Sequence, residues 1–290
     1  MNALYELFGI SHAVAQSVMN PQPGILDENG RVPIGALFLL MDGALGIEAA
    51  TDLGAGWQLI TTHLRLDVLR EPFVAQRLHT ATCVDLVDAN SVFSHGEIFD
   101  DAGHLLATAS GRFAVFSSSQ RAASRIEVGA RRPRQALPER EVFGTQAPLD
   151  RLDLQSPIHM TLRSRATASP GALELDVTAS RTLSNDRGGV HGGIVGLIGE
   201  RALDLLVALY SDHRSFPLTF QVTFVRPVAA ADQRIRSVAS LDHSGRSFAA
   251  GTTRVLDHRE RLIAIVTGAY RLHPHVLTAS PSQEKSEMIK

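Results

Sequence analysis

Two stretches of this 290-residue chain share one layout, a polar glycine-bearing turn running straight into an apolar helical segment that carries a carboxylate. They are DENGRVPIGALFLLMDGALG, residues 27–46, and NDRGGVHGGIVGLIGERALD, residues 185–204. Superposed without a gap, Asp27 falls on Asn185, Gly30 on Gly188, Gly35 on Gly193, Asp42 on Glu200 and Ala44 on Ala202. Each helical run is followed by a β-patterned segment that ends at a proline, Pro72 or Pro227, and then by three more alternating runs. A repeat at about half the chain length signals a duplicated domain and not a solenoid of short units. The helical runs restrict the fold further. ALFLLM offers no polar face for more than a turn, so the helix has to be enclosed. A curved antiparallel sheet of about five strands around each helix encloses it, and pairing two such sheets edge to edge removes one exposed edge from each.

The expected architecture is therefore α+β, with an N-terminal domain over 1–118, a linker over 119–152 rich in Arg, Pro, Ser and Ala, and a C-terminal domain over 153–275. The polar segment 276–290 reads as a disordered tail. A formal net charge of −2 gives no basic excess of the kind nucleic acid or an anionic membrane needs. The N-terminus has no basic region ahead of its apolar residues and so no signal-peptide pattern. No segment reads as a membrane span, because both apolar helical runs contain acidic residues. Cys83 is the single cysteine, which excludes an internal disulfide, fits a cytoplasmic setting and reads as a core residue. His63, His79, His95 and His104 are scattered through β-patterned segments without metal-ligand spacing, so neither metal nor cofactor is expected.

The chemistry concentrates at Val190-His191-Gly192-Gly193, at the predicted start of the second helix. The first backbone N–H groups of a helix lack internal partners and face the positive end of the macrodipole, so negative oxygen is stabilised there. Glycine admits a substrate close to the backbone, which suits the Gly192 N–H to an oxyanion hole; the bland alternative is a tight turn into the helix. Glu200 lies eight residues beyond Gly192, about 12 Å along a helix axis, and cannot serve its own N-terminus. If the repeats pack as a pseudo-twofold pair with antiparallel helices, each carboxylate faces the other repeat's N-terminus. Asp42 then reads as functional, or else as a buried residue bridging the repeats. Gly193, Gly196 and Gly199 form a small-residue stripe, for close helix packing or for a narrow acyl channel.

The pattern N-x5-HGG-x6-[DE]-x-A, followed by a strand ending in Arg-Pro, resembles the hotdog-fold acyl-CoA thioesterases of the phenylacetate-pathway (PaaI-like) type, in the 4-hydroxybenzoyl-CoA thioesterase superfamily. The resemblance covers roughly residues 20–117 and 155–273 and implies two hotdog domains in an intramolecular pseudo-dimer. It implies a carboxylate acting as general base or nucleophile, a backbone N–H polarising the thioester carbonyl, an assisting Asn, and a Ser or Thr that positions water. Carried across, these are Asp42 and Thr62 from the first repeat with Asn185, His191 and Gly192 from the second, Gly193 and Thr61 lying against the substrate. Thr61 takes the place of Thr62 if the register slips by one. The opposite combination brings together Asp27, Ile34, Glu200 and Pro217 and reads as a degenerate second site. The implied activity is hydrolysis of an acyl or aryl thioester, acyl-CoA being the expected partner, at one composite site. An enoyl-thioester hydratase or dehydratase on the same fold and a non-catalytic acyl-thioester binding module are the rival readings. A fused pseudo-dimer needs no partner to complete its site, and the resemblance also allows a homo-oligomer of pseudo-dimers.

Overall fold

A computed structural model describes residues 2–70, 76–117, 152–211, 214–228 and 233–273. The expected tail and, apart from Leu152, the expected linker lie outside them. The first half runs α1 (Ala3–Phe8), β1 (Ile10–Ser11), β2 (Val18–Met19), α2 (Ile34–Leu53), β3 (Trp57–Val68), β4 (Leu78–Val87), β5 (Ser91–Asp100) and β6 (Leu105–Ser117). The second repeats that order as α3 (Pro157–Leu162), β7 (Arg165–Ser169), β8 (Ala172–Ala179), α4 (Gly192–Tyr210), β9 (Arg214–Phe224), β10 (Gln233–Ser244), β11 (Phe248–Leu256) and β12 (Leu262–His273). Each half thus has six strands where about five were expected, because two strands precede the central helix, only two residues long each in the first half and five and eight in the second.

All twelve strands join in one antiparallel sheet, ordered β1-β2-β4-β5-β6-β3-β9-β12-β11-β10-β8-β7. The halves meet where β3 pairs with β9, Arg65 lying opposite Gln221, so the edge-to-edge pairing expected from the sequence is present. The duplication extends to its smallest pieces: α1 and α3 each bury two apolar residues, Leu4 with Phe8 and Ile158 with Leu162, and each ends on a left-handed residue, Gly9 or Arg163.

Every residue from Ile34 to Leu45 is buried, as the absence of a polar face requires. By length and composition α2 could cross a membrane, but 67% of its most apolar window is buried within the protein, where it serves as a core helix. The helices α2 and α4 run antiparallel and touch through two equivalent glycines. A Cβ on Gly35 would stand 2.5 Å from Leu197 Cα, and one on Gly193 within van der Waals overlap of Leu39 Cα. The rest of the stripe packs likewise, Gly196 against Phe38 and Val222, and Gly199 against Val266. The glycines therefore let helices and sheet approach, and the channel alternative is not what they form.

Candidate active site at the helix crossing

The turns leading into the two helices are near copies. The Asn185 side-chain oxygen accepts from the N–H groups of Arg187 (3.0 Å) and Gly189 (3.1 Å), and the Asp27 carboxylate accepts from Asn29 and Arg31 (both 2.8 Å). Gly188 and Gly30 close the turns at φ of 76° and 69°, values glycine adopts without strain. The Asn–Asp correspondence has a local cause: either side chain can accept the two turn N–H groups. Because the Asn185 oxygen is committed to the turn, only its amide NH2 is left to meet a substrate.

Beyond the second turn, His191 caps α4 and its Nδ1 accepts from the Gly193 N–H at 3.1 Å. The same N–H donates to Asp42 Oδ2, also at 3.1 Å, so the carboxylate of α2 reaches the N-terminus of α4 across the repeat boundary. Asp42 Oδ2 stands 3.3 Å from His191 Nδ1, and both side chains are nearly buried. A Cβ on Gly192 would lie 2.7 Å from the same oxygen, so only glycine fits there without displacing Asp42. Among the described residues the Gly192 N–H has no acceptor, leaving a free donor beside a buried carboxylate.

The hydroxyl on Asp42 comes from Thr61, whose Oγ1 donates to Oδ1 at 2.7 Å. Thr62, the residue first expected in this role, instead donates to the Arg112 carbonyl at 2.9 Å. The cause is a β-bulge: Thr61 pairs with Phe113 and His63 with Arg112, so Thr62 is the extra residue. One inserted residue reverses which face the preceding side chain takes. The second half has the matching bulge at Leu218, and superposing the two places Pro217 on Thr61, so the second site lacks the hydroxyl.

That second site is filled. Glu200 reaches the N-terminus of α2, its Oε2 being 2.8 Å from where a Cβ on Gly35 would stand, yet this oxygen has no hydrogen-bond partner among the described residues. Arg201, 1% exposed, follows it and donates to Asp204 (2.8 Å) and Glu28 (2.9 Å), with His159 at 3.5 Å. Burial pushes Glu200 up to about 8 against the opposing pull of Arg201, and burial also raises Asp204. The residue corresponding to Arg201 in the first repeat is Gly43, which leaves room for His12. Ile34, where the donor glycine would be, is 3% exposed and belongs to the core.

Two residues near Asp42 were not singled out from the sequence. Tyr5 places its hydroxyl 3.0 Å from His191 Nε2, and His12 packs edge-on against Tyr5 at 4.6 Å between centroids. Since His191 Nδ1 is an acceptor, Nε2 carries the proton and donates to Tyr5. Burial favours neutral imidazoles at His191 and at His12, where the pKa falls to about 4, and it raises the Tyr5 phenol. The signal that could have found them is the Leu4/Phe8 and Ile158/Leu162 match, which carries the repeat back to the N-terminus. Cys83, expected in the core, is exposed on β4.

No protein-family model matches the chain, and comparison with curated proteins gives no sequence match. Solved structures do match over nearly the full length. The tesB protein of Mycobacterium avium subs paratuberculosis is 12% identical, with a TM-score of 0.64 over 93% of this chain and 98% of the other. An acyl-CoA thioesterase II from Mycobacterium marinum is 13% identical, with a TM-score of 0.60 over 93% and 97%. A conserved protein of unknown function with hot dog fold from Alicyclobacillus acidocaldarius is 12% identical, with a TM-score of 0.61 over 94% and 98%. At these identities the likeness establishes the fold, which is a tandem hotdog.

Proposed function

We propose that this chain hydrolyses an acyl or aryl thioester, acyl-CoA being the expected carrier, at the single composite site formed by Asp42 and Thr61 with His191, Gly192 and Gly193. The observation that carries the reading is the placement of a buried carboxylate from one repeat beside the unpaired Gly192 N–H of the other. A thioester carbonyl oxygen at the start of α4 would accept from that N–H, at the positive end of the helix. Asp42 then takes a proton from water as the water oxygen bonds to the carbonyl carbon. Collapse of the tetrahedral intermediate breaks the C–S bond and releases acid and thiol. In the nucleophilic variant Asp42 itself bonds to the carbon, thiolate leaves, and water cleaves the resulting anhydride. Thr61 fixes the carboxylate in both routes. The neighbour from Mycobacterium marinum, whose name is that of an acyl-CoA thioesterase, supports this reading, as does a fold able to hold such a site. A cytoplasmic setting belongs to the same proposal.

The test is thiol release from a panel of acyl- and aryl-CoA thioesters. Turnover of at least one, with first-order dependence on enzyme, is expected. Saturable binding of the panel without release of thiol would reassign the chain as a thioester-binding module.

A further inference from the structure

On the outer face of the first half, away from the helix crossing, three side chains of different donor chemistry converge. Cys83 on β4 lies directly opposite His95 on β5, and Asp85 is the extra residue of a bulge one position further on. His95 Nδ1 stands 2.7 Å from Asp85 Oδ1 and 3.4 Å from Cys83 Sγ, and the thiol is 4.0 Å from the same carboxylate oxygen. All three residues are exposed, and their donor atoms lie within 4.8 Å of one another. We propose that Cys83, Asp85 and His95 form a binding site for a divalent transition metal, zinc being the ion that suits one sulfur, one nitrogen and one oxygen donor.

The duplicated half supplies an internal comparison. In β10 and β11 the same bulge recurs at Asp242, with Ser240 opposite Thr252, and the Thr252 hydroxyl donates to Asp242 at 2.6 Å. An aspartate at the bulge that accepts across the strands is therefore the structural element common to both halves. The first half adds to it a thiol where the second has Ser240 and an imidazole where the second has Thr252. Thiolate and imidazole are favoured zinc ligands, and neutral hydroxyls are not.

The geometry needs little adjustment. Tetrahedral zinc at its usual bond lengths separates nitrogen and oxygen ligands by about 3.3 Å and nitrogen and sulfur by about 3.5 Å. The Cys83–His95 spacing is already near that figure, and the Asp85–His95 contact opens by roughly half an ångström. The fourth position faces solvent and is open to water. The metal ligand is the thiolate, so binding of a divalent ion at Cys83 displaces the thiol proton.

Cys83 is the chain's only cysteine, so a sulfur-to-metal transition can come from no other residue. The experiment is titration of the untagged, chelator-treated full chain with cobalt(II), followed through its near-ultraviolet thiolate charge-transfer band, then back-titration with zinc. The site predicts a band that saturates at one equivalent, is abolished by zinc, is absent in Cys83→Ser, and shifts its midpoint at least tenfold in His95→Thr and Asp85→Asn. Cys83→Ser and His95→Thr import residues already accommodated at the equivalent positions of the second half, and their thermal melts without metal should match wild type. Absence of the band in wild type, or an unchanged midpoint in both His95→Thr and Asp85→Asn, overturns the proposal. The readout is independent of thioester turnover, so it stands or falls apart from the function proposed above.

Discussion

Replacing Thr61 by valine removes one hydroxyl and keeps the branched shape, so it isolates the bond to Asp42. That bond is 2.7 Å long and its acceptor is a nearly buried carboxylate. A hydrogen bond to a charged group contributes about 1.5–3 kcal/mol. If Asp42 is the reacting carboxylate and the bond fixes its orientation, Thr61→Val lowers kcat/KM by about ten- to a hundredfold. Thr62→Val is the matched control, because Thr62 bonds to the Arg112 carbonyl and takes no part in the cluster. Its activity should stay within about twofold of wild type, because its hydroxyl makes no bond to the cluster that the transition state could strengthen. The assay is thiol release at several substrate concentrations, with thermal melts showing that both variants fold. A larger loss in Thr62→Val than in Thr61→Val would refute the bulge argument and the assignment of the site's hydroxyl.

Three further outcomes follow from the same geometry. Gly192→Ala places a Cβ 2.7 Å from Asp42 Oδ2, so turnover should fall by about a hundredfold from a misplaced carboxylate while the melting temperature is retained; an active variant would contradict the crowding. Arg201→Leu leaves Glu28 and Asp204 without their buried partner and should cost about 3–5 kcal/mol in urea unfolding, with activity per folded molecule unchanged. Glu200 has a folded pKa near 8 against an ordinary 4.5, so between those values the folded protein retains a proton that the unfolded chain has released. Wild-type stability therefore declines as pH rises through that window. Glu200→Gln should remove most of the decline, and parallel stability profiles for the two proteins would show that Glu200 does not titrate in this range.

Much of this molecule was legible in its letters because the constraints were coarse. A helix apolar on every face has to be wrapped, and a repeated turn-helix-strand order has to give two equivalent units. The cross-repeat meeting of Asp42 with the start of α4 followed from two constraints together: eight residues of helix rise put a carboxylate too far from its own N-terminus, and antiparallel packing of the repeats brings it to the other one. Single-residue register was not legible. Thr61 and Thr62 are chemically identical, and the bulge that separates their roles is set by pairing with β6, which no local pattern encodes. Cys83 lies outside the core for a similar reason. The run HTATCVDLV alternates threonines with small residues, so neither face declares itself apolar, and the structure turns Cys83 and Asp85 outward. The filling of the second site was hidden because Arg201 reads as an ordinary helix charge until Glu28, Asp204 and His159 are brought around it.

Thioester hydrolysis by wild type, Asp42→Asn and Glu200→Gln, compared under identical conditions at neutral pH, tests which carboxylate carries the chemistry. The two carboxylates occupy equivalent positions in the two repeats, and only Asp42 has beside it both a hydroxyl and a helix N-terminus with an unpaired glycine N–H. With the chemistry at the composite site, Asp42→Asn loses nearly all turnover while Glu200→Gln retains it. Loss of turnover in Glu200→Gln with Asp42→Asn still active would place the chemistry at the other end of the helix pair, away from Asp42 and Gly192.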